Sequence, residues 1–577
     1  MRRWSETANA IAATSRTSQK IALLASYLLS LEPAELRAAA TFMVGRPFPE
    51  RESRTTGLGW SAISKVIETL AGPESGGLGA AYDRSSDIGK AVEDVLVDVG
   101  HEPVGEPPTV VEVAAVFQAI ADARGTAAKS AIFAGLLTRS DPVTARAIIR
   151  VLSGELRIGL REGHLEAAIA KAFGQEVADV QWAGMLTGDL GRTAELARDD
   201  RLGSAELTLF RPLKSMLAHP AADEAEVITR LGTPVWVEDK YDGIRAQLHR
   251  RGADIRLYSR DLNEVSGQFP EVVRAAAELD WDGILDGEVL GWHEGAALPF
   301  LQLQTRLGRK DPSPQVQAAV PVIYVAFDAL ALGVPGKAVE PLLRMPLRDR
   351  RARLEALGLG ATPGFGLAKL VNAPDEAALR LVFDESQQRG NEGLMVKDPD
   401  SIYSPGRRGY GWLKLKRPLT TLDCVVIGVE VGHGKRHGVL SDYTFAVRDD
   451  RSGADGKLVT IGKAYTGLTD AEITEMTRWF EDHTIQRFGR YRLVDPEIVV
   501  EIAFDVIHRS ARHASGYAMR FPRIVRIRTD KDASQIDVLS TVTQIHDRLQ
   551  VGGRYGVMTA GEVEPRETSV PVSVPGA

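Results

Sequence analysis

The sequence predicts three domains in series: an all-α domain over residues 1–205, an α+β domain over 206–417 and a strand-rich domain over 418–555. A disordered tail is expected at 556–577. Three observations predict this. Helix start and stop signals recur through the first two hundred residues with little strand-like alternation. Period-two alternation of apolar and polar residues sets in after Thr233. β-Branched residues gather again after Pro418.

The elements follow in order. Ile21–Leu29 is an apolar-rich run of helical length. Pro33 stands at the first turn of the next helix, where its missing N–H costs nothing, and Gly45 follows that helix. Asp141-Pro142 reads as an N-cap followed by Pro at the first helical position, leading into Val143–Leu152. Leu165–Phe173 closes at Gly174, a residue suited to a left-handed cap. Ile244–His249 alternates as a half-buried strand does, Arg251-Gly252-Ala253 can turn the chain, and Ile255 and Leu257 resume the alternation. A helix is expected around Glu271–Leu279. Val425-Val426-Ile427 opens the third region. There Thr469 and Glu472 form a capping box, Gly489 ends that helix, and Ile498–Ile502 and Ile524–Ile527 return to strands. From Gly556 onward no periodicity remains.

Composition excludes several classes. The 577 residues contain one Cys, so neither an intramolecular disulfide framework nor a Cys-rich zinc site can be built within one chain. The 44% hydrophobic content is that of a globular protein. No apolar stretch has the length of a membrane span or a signal-peptide core, so a soluble cytoplasmic protein is expected. The 70 basic against 77 acidic residues give a formal charge of −7, which alone speaks against a nucleic-acid partner. Charge is local, however. Arg407, Arg408, Lys414, Lys416 and Arg417 cluster, as do Arg520, Arg523, Arg526, Arg528 and Lys531.

The string Glu238-Asp239-Lys240-Tyr241-Asp242-Gly243-Ile244-Arg245 carries the most chemistry. A Lys at the end of one strand, before a Gly-permitted turn into the next, can be held at the floor of a pocket. Burial and neighbouring cations lower a lysine's pKa towards the neutral, nucleophilic amine. An Arg five residues on can fork onto phosphate or a ribose-linked group. Alone, a Lys two residues before Asp-Gly is more often a surface lysine beside a plain turn. It is followed by Ser259-Arg260, Leu285-Asp286-Gly287-Glu288, Ala326-Phe327-Asp328 and Glu392-Gly393-Leu394-Met395-Val396-Lys397. Then come Trp412-Leu413-Lys414-Leu415-Lys416 and the run from Arg520 to Lys531.

In this order the strings resemble motifs I, Ia, III, IIIa, IV, V and VI of the covalent nucleotidyltransferases, specifically the ATP-dependent DNA ligases. Leu152–Leu160, Gly188–Gly191 and Lys214–Ala218 extend the likeness to the DNA-binding domain and domain junction of archaeal and eukaryotic replicative-type members. It spans nearly the whole chain except the tail. It implies a helical DNA-binding domain, a nucleotidyltransferase domain and an OB-fold β-barrel. ATP and Mg²⁺ are the implied cofactors, and nicked duplex DNA the implied partner of a monomer.

The resemblance also implies roles. Lys240 becomes the lysyl-adenylate. Glu238 lies near the adenine N6 amine, and Phe327 stacks on the adenine. Arg245 and Arg260 lie around ribose and phosphates, and Arg408 and Lys397 contact the nucleotide. Lys414 binds the α-phosphate, and Lys416 alternates with it on one strand. Glu288 belongs to the nucleotide site and, with Glu392, is a metal candidate. Arg528, Asp530 and Lys531 match the terminal element that reaches the β- and γ-phosphates. Lys129, Arg157, Lys435 and Arg436 are weaker candidates for DNA contact. An RNA ligase or capping guanylyltransferase shares the lysyl chemistry, but the helical first domain argues against both. The lone Cys argues against the zinc-bearing NAD-dependent ligases. A catalytically silent nick-binding scaffold is a further alternative, disfavoured because every matched catalytic position holds the expected residue type.

Overall fold

The computed structural model describes residues 1–559 apart from 51, 53, 73–76, 390, 407, 417–419, 433–435, 437, 453–455 and 550–553, and apart from the side chains at 408, 410, 452, 548 and 549. The N-terminal region is helical from Arg2–Ala12 through Leu190–Arg198. Pro33 sits in the first turn of Pro33–Phe42, and Asp141 accepts from the N–H groups of Val143 and Thr144 at 3.0 Å each. Gly154 and Gly174 close their helices in the left-handed conformation. Trp4, Phe42 and Phe117 meet edge to face at the centre of this core, with centroid separations of 6.4 and 5.5 Å. Each buried ring of this kind contributes roughly 1.5–3 kcal/mol.

The middle region holds two sheets. The first orders its strands Leu217–Ala221, Arg408–Lys416, Gly393–Lys397, Val235–Asp239 and Val371–Ala373. The second runs Val557–Met558, Phe365–Ala368, Val322–Gly333, Asp282–His293, Ile244–Arg251 and Asp254–Ser259, with two short strands beside it. The chain crosses from the first sheet to the second between Asp239 and Ile244, and Lys240 lies in that crossing.

Ile244–Arg251 departs from the expected half-buried strand, because Gln247 and His249 are as buried as Ala246 and Leu248. Their polar face is covered by the segment leading out of the helical region. Phe210 N–H donates to Nδ1 of His249, and Leu213 N–H to Oε1 of Gln247, both at 3.0 Å. Burial pushes the His249 pKa down to about 3, which keeps that nitrogen an acceptor.

The C-terminal region is strand-rich. A seven-stranded sheet is built around Thr420–Val431, which pairs with Leu440–Arg448, Tyr491–Val494 and Val499–Phe504. The Thr469–Glu472 capping box is present, but its helix ends at Asp482 and not near Gly489. Thr484–Phe488 leaves the helix as a strand, and Gly489, at φ +61°, serves the hairpin into Tyr491–Val494. A second expectation also fails. The chain does not become a tail at Gly556, because Val557–Met558 pairs with Ala368 and Leu367 of the middle region and Val557 is buried. Two residues are too few to show period-two alternation. Residues 560–577 lie outside the described residues. No helix of the described residues is long and apolar enough to cross a membrane.

Candidate active site

Strand register decides which side chains share a face, since opposed residues project the same way and every second residue follows them. On the first sheet Met395 is opposed by Glu238 on one side and Lys414 on the other. Lys397 and Trp412 continue that face. The other face carries Val235, Val237, Leu394, Val396, Leu413 and Leu415, all in one apolar cluster with two helices. The apolar cluster therefore turns the polar row towards the second sheet. There Glu288 is opposed by Arg245 and by Val325, with Phe327 two residues beyond.

Between the sheets lies a cavity of about 220 Å³ lined by Glu238, Lys240, Arg245, Arg260, Glu288, Phe327, Lys397, Trp412 and Lys414, among others. Lys240 and Lys414, 174 positions apart in sequence, thus share one pocket. Gly243 is needed here for close approach and not for a turn. A Cβ on it would stand 2.5 Å from the Val289 carbonyl oxygen and 2.8 Å from Cγ of Glu288.

Lys240 is anchored at its backbone by donating to the Gly393 carbonyl at 2.8 Å. Its ammonium donates to Oε2 of Glu392, whose Oε1 accepts from Lys416. Burial works to lower the Lys240 pKa, but Glu392, Glu288 and Asp242 outweigh it and hold the group above the ordinary lysine value. This corrects the expectation that neighbouring lysines depress it. Lys240 and Lys416 share the Glu392 carboxylate, one on each oxygen. That carboxylate is held below its ordinary pKa: burial opposes the shift, and the two ammonium groups overcome it. Glu288 behaves oppositely. Burial raises its pKa to about 8, against the pull of Lys240 and Arg245.

The far end of the cavity is closed by a buried ion pair. Lys397 donates to Oε2 of Glu238 at 2.6 Å, and Arg351 approaches Oε1 at 3.5 Å. The Lys397 ammonium also lies 4.9 Å from the Phe327 ring centre and 4.5 Å from that of Trp412. Arg245 is committed before any ligand arrives. It forks onto Asp286 at 3.1 and 2.7 Å and donates to the Met216 carbonyl at 2.7 Å.

Not every expected residue is brought here. Nη1 of Arg528 donates to both oxygens of Asp423 at 2.9 and 2.8 Å, with Lys531 on the same carboxylate at 2.6 Å, and Nε and Nη2 of Arg528 fork onto Asp530 at 2.8 and 2.7 Å. All lie in the C-terminal region and none lines the cavity. Lys416 reaches the site through Glu392 and is not in the cavity wall. Arg408 begins its strand, but its side chain lies outside the described residues. Of the DNA-contact candidates, Lys129 is turned inward onto the Thr56 carbonyl at 2.6 Å. Arg157 is exposed and paired with Glu155 at 2.7 Å, and Arg436 donates to the Tyr465 carbonyl at 2.7 Å. Lys435 lies outside the described residues. Sequence reasoning missed Arg351, Asp286 and Trp412 as site residues. The latter two stand inside the strings it quoted, whereas Arg351 sits in a helix with no local signal.

Three family models match in chain order: "DNA ligase N terminus" over residues 1–170, "ATP dependent DNA ligase domain" over 215–416 and "ATP dependent DNA ligase C terminal region" over 436–531. A probable DNA ligase of Koribacter versatilis is 44% identical over 563 residues, which cover 94% of this chain and 96% of the relative. The chain belongs to the ATP-dependent DNA ligase family. A probable DNA ligase of Opitutus terrae is 41% identical over 97% of the chain, which spans 63% of that relative's length. DNA ligase 1 of Korarchaeum cryptofilum is 34% identical over 94% of the chain and 97% of its own. The solved structure named Pmar-Lig_Pre superposes with a TM-score of 0.56 over 91% of this chain and 99% of that one, at 16% identity, a likeness of fold alone. Within the ligase family the cavity and its lysine are the place to look for the chemistry.

Proposed function

We propose that this chain seals nicks in duplex DNA by three successive transfers, with Lys240 as the covalent nucleophile. The observation that carries the reading is the placement of Lys240 on the wall of the one cavity that also collects Glu238, Arg245, Glu288, Phe327 and Lys414. Lys240 Nζ, once neutral, attacks the α-phosphorus of ATP. The P–N bond forms, the bond to the β-phosphate oxygen breaks, and pyrophosphate leaves. An oxygen of the DNA 5′-phosphate then takes the adenylate and Lys240 leaves with a proton. The 3′-hydroxyl finally attacks that 5′-phosphorus, expelling AMP and closing the phosphodiester.

Charge neutralisation and alignment dominate such transfers. Lys414 lies on the same face as Glu238 and Met395 and would meet the α-phosphate. Phe327 would stack on the base, and Glu238 would accept from its exocyclic amine while opposing the carbonyl of guanine. Arg260, exposed at the rim, and Arg408 would contact the phosphates or ribose. Arg245, already locked, would shape the pocket wall.

The donor set also fits a divalent cation. Mg²⁺ commonly takes one or two carboxylates and completes its shell with phosphate and water. Glu288 and Glu392 are two such groups, and among the described residues no cluster of three or more metal-type ligands exists. When bound there the cation would neutralise charge on the transferring phosphate. We read the C-terminal region as an OB-fold that carries Arg528, Asp530 and Lys531 to the β- and γ-phosphates in another orientation. Nicked duplex DNA is the partner, and the chain acts as a monomer in the cytoplasm.

The test is direct. With Mg²⁺ and ATP labelled at the α-phosphate, without DNA, label becomes covalently attached to the protein, and Lys240→Ala abolishes it. Label that survives this substitution overturns the assignment. Nicked DNA against nicked RNA then distinguishes a DNA ligase from an RNA ligase.

A further inference from the structure

The segment Arg554–Met558, which follows the last helix of the C-terminal region, is bound to the backbone and side chains on both sides of Lys240. Gly556 N–H donates to Oδ2 of Asp239 at 2.7 Å, and the Tyr241 hydroxyl donates to the Gly556 carbonyl at 2.9 Å. The Tyr555 hydroxyl accepts from the N–H of Asp242 at 3.1 Å, and its ring meets that of Tyr241 edge to face at 5.2 Å. The same segment reaches the other partner in the site. The Arg554 carbonyl accepts from Nδ2 of Asn391, the residue before Glu392, and from Nε of Arg389, both at 3.2 Å. Val557 is inserted over Gly366, where a Cβ would come within 2.5 Å of it.

We propose that Arg554–Met558 is a positioning strap for self-adenylation, and that Tyr555 is its positioning residue. Lys240 stands in a crossover between two sheets, held to the first by its N–H on the Gly393 carbonyl, whereas residues 241–243 belong to neither sheet's strands. Such a linker spends part of its time in other conformations, and each lowers the fraction of molecules ready to attack. The strap satisfies polar groups at Asp239, Tyr241 and Asp242 together, and ties them to the loop that carries Glu392. It therefore sets the amine and its carboxylate in one frame.

This inference rests on the ligase reading, and the experiment separates the two. The full chain is freed of AMP with pyrophosphate, then measured in single turnover for label transfer from ATP, and separately for sealing of a nick that already carries a 5′-adenylate. Unmodified protein must self-adenylate, and its failure to do so would count against the ligase reading itself. Tyr555→Phe keeps the ring and removes the acceptor. It is expected to slow label transfer about fivefold to tenfold, as loss of one hydrogen bond does, with the KM for ATP changed less than twofold and sealing of the adenylated nick within twofold of the parent. A chain shortened to end before Arg554 is expected to show the same split more strongly, about a hundredfold. If both steps fall together with the melting temperature, or if neither moves in Tyr555→Phe while the parent is active, the strap is structural only and the inference is wrong.

Discussion

The Lys240 ammonium is seated on the Glu392 carboxylate. The pairing keeps the amine protonated, since the surrounding carboxylates outweigh the effect of burial. The reacting form must then be produced by proton loss. Below a lysine's pKa the neutral fraction grows about tenfold per pH unit. Self-adenylation is therefore expected to accelerate with rising pH through the neutral range. In Glu392→Gln the amine loses its strongest acceptor and its pKa falls, so the profile moves to lower pH even as the maximal rate drops. Single-turnover label transfer from pH 6 to 10 measures both, and a flat profile in the parent would contradict the argument.

Glu288 is a buried carboxylate of the candidate site whose ionisation costs stability. Its pKa is pushed up to about 8 by burial, against an unfolded value near 4.3. Between those values the folded state holds a proton that the unfolded chain has released. Stability therefore falls as pH rises across that window. Glu288→Gln removes this dependence. At pH 8 without divalent cation the variant is expected to be more stable than the parent by on the order of 1–3 kcal/mol, and nearly equal at pH 5. Urea midpoints at the two pH values give the answer. A variant less stable at both would show that the carboxylate is satisfied and not strained.

The ion pair of Glu238 with Lys397 is almost fully enclosed, at 4% and 1% exposure. Removing one partner leaves a buried charge with only Arg351 nearby. Lys397→Met is expected to destabilise by about 3–5 kcal/mol, and the double substitution Glu238→Met, Lys397→Met to recover a large part of that loss. Thermal unfolding of the three proteins tests this. Equal losses in single and double variants would mean that the pair is not coupled.

Arg528 and Lys531 are held on Asp423, away from the cavity. If they act only when the C-terminal region turns towards ATP, Arg528→Ala should slow self-adenylation about a hundredfold, in keeping with loss of a charge-assisted phosphate contact. Sealing of a pre-adenylated nick should change less than threefold. Comparable losses in both reactions would place Arg528 in the orientation seen here and not in a second one.

The sequence by itself determined the elements whose cause is local. Asp141 before Pro142, Gly174 after Phe173 and the Thr469–Glu472 box act within a turn or two, and each is where it was expected. It also determined the candidate chemistry, because Lys240, Glu288, Phe327 and Lys414 stand inside strings of recognisable order and type. It could not determine what those side chains do to one another. Whether Lys240 is flanked by cations or seated on a carboxylate depends on Glu392, 152 residues away, entering the space between it and Lys416.

Tertiary structure alone decided the rest. Gln247 and His249 read as solvent-facing because alternation records only polarity, yet a docked segment buries them and satisfies their hydrogen bonds. Gly556 and Val557 read as tail because their role is to complete a sheet built from residues near 367. Local propensity and motif order act through near neighbours and survive in one dimension. Pairing, burial and the electrostatic balance of a site depend on which distant segments meet, and those are properties of the packed chain.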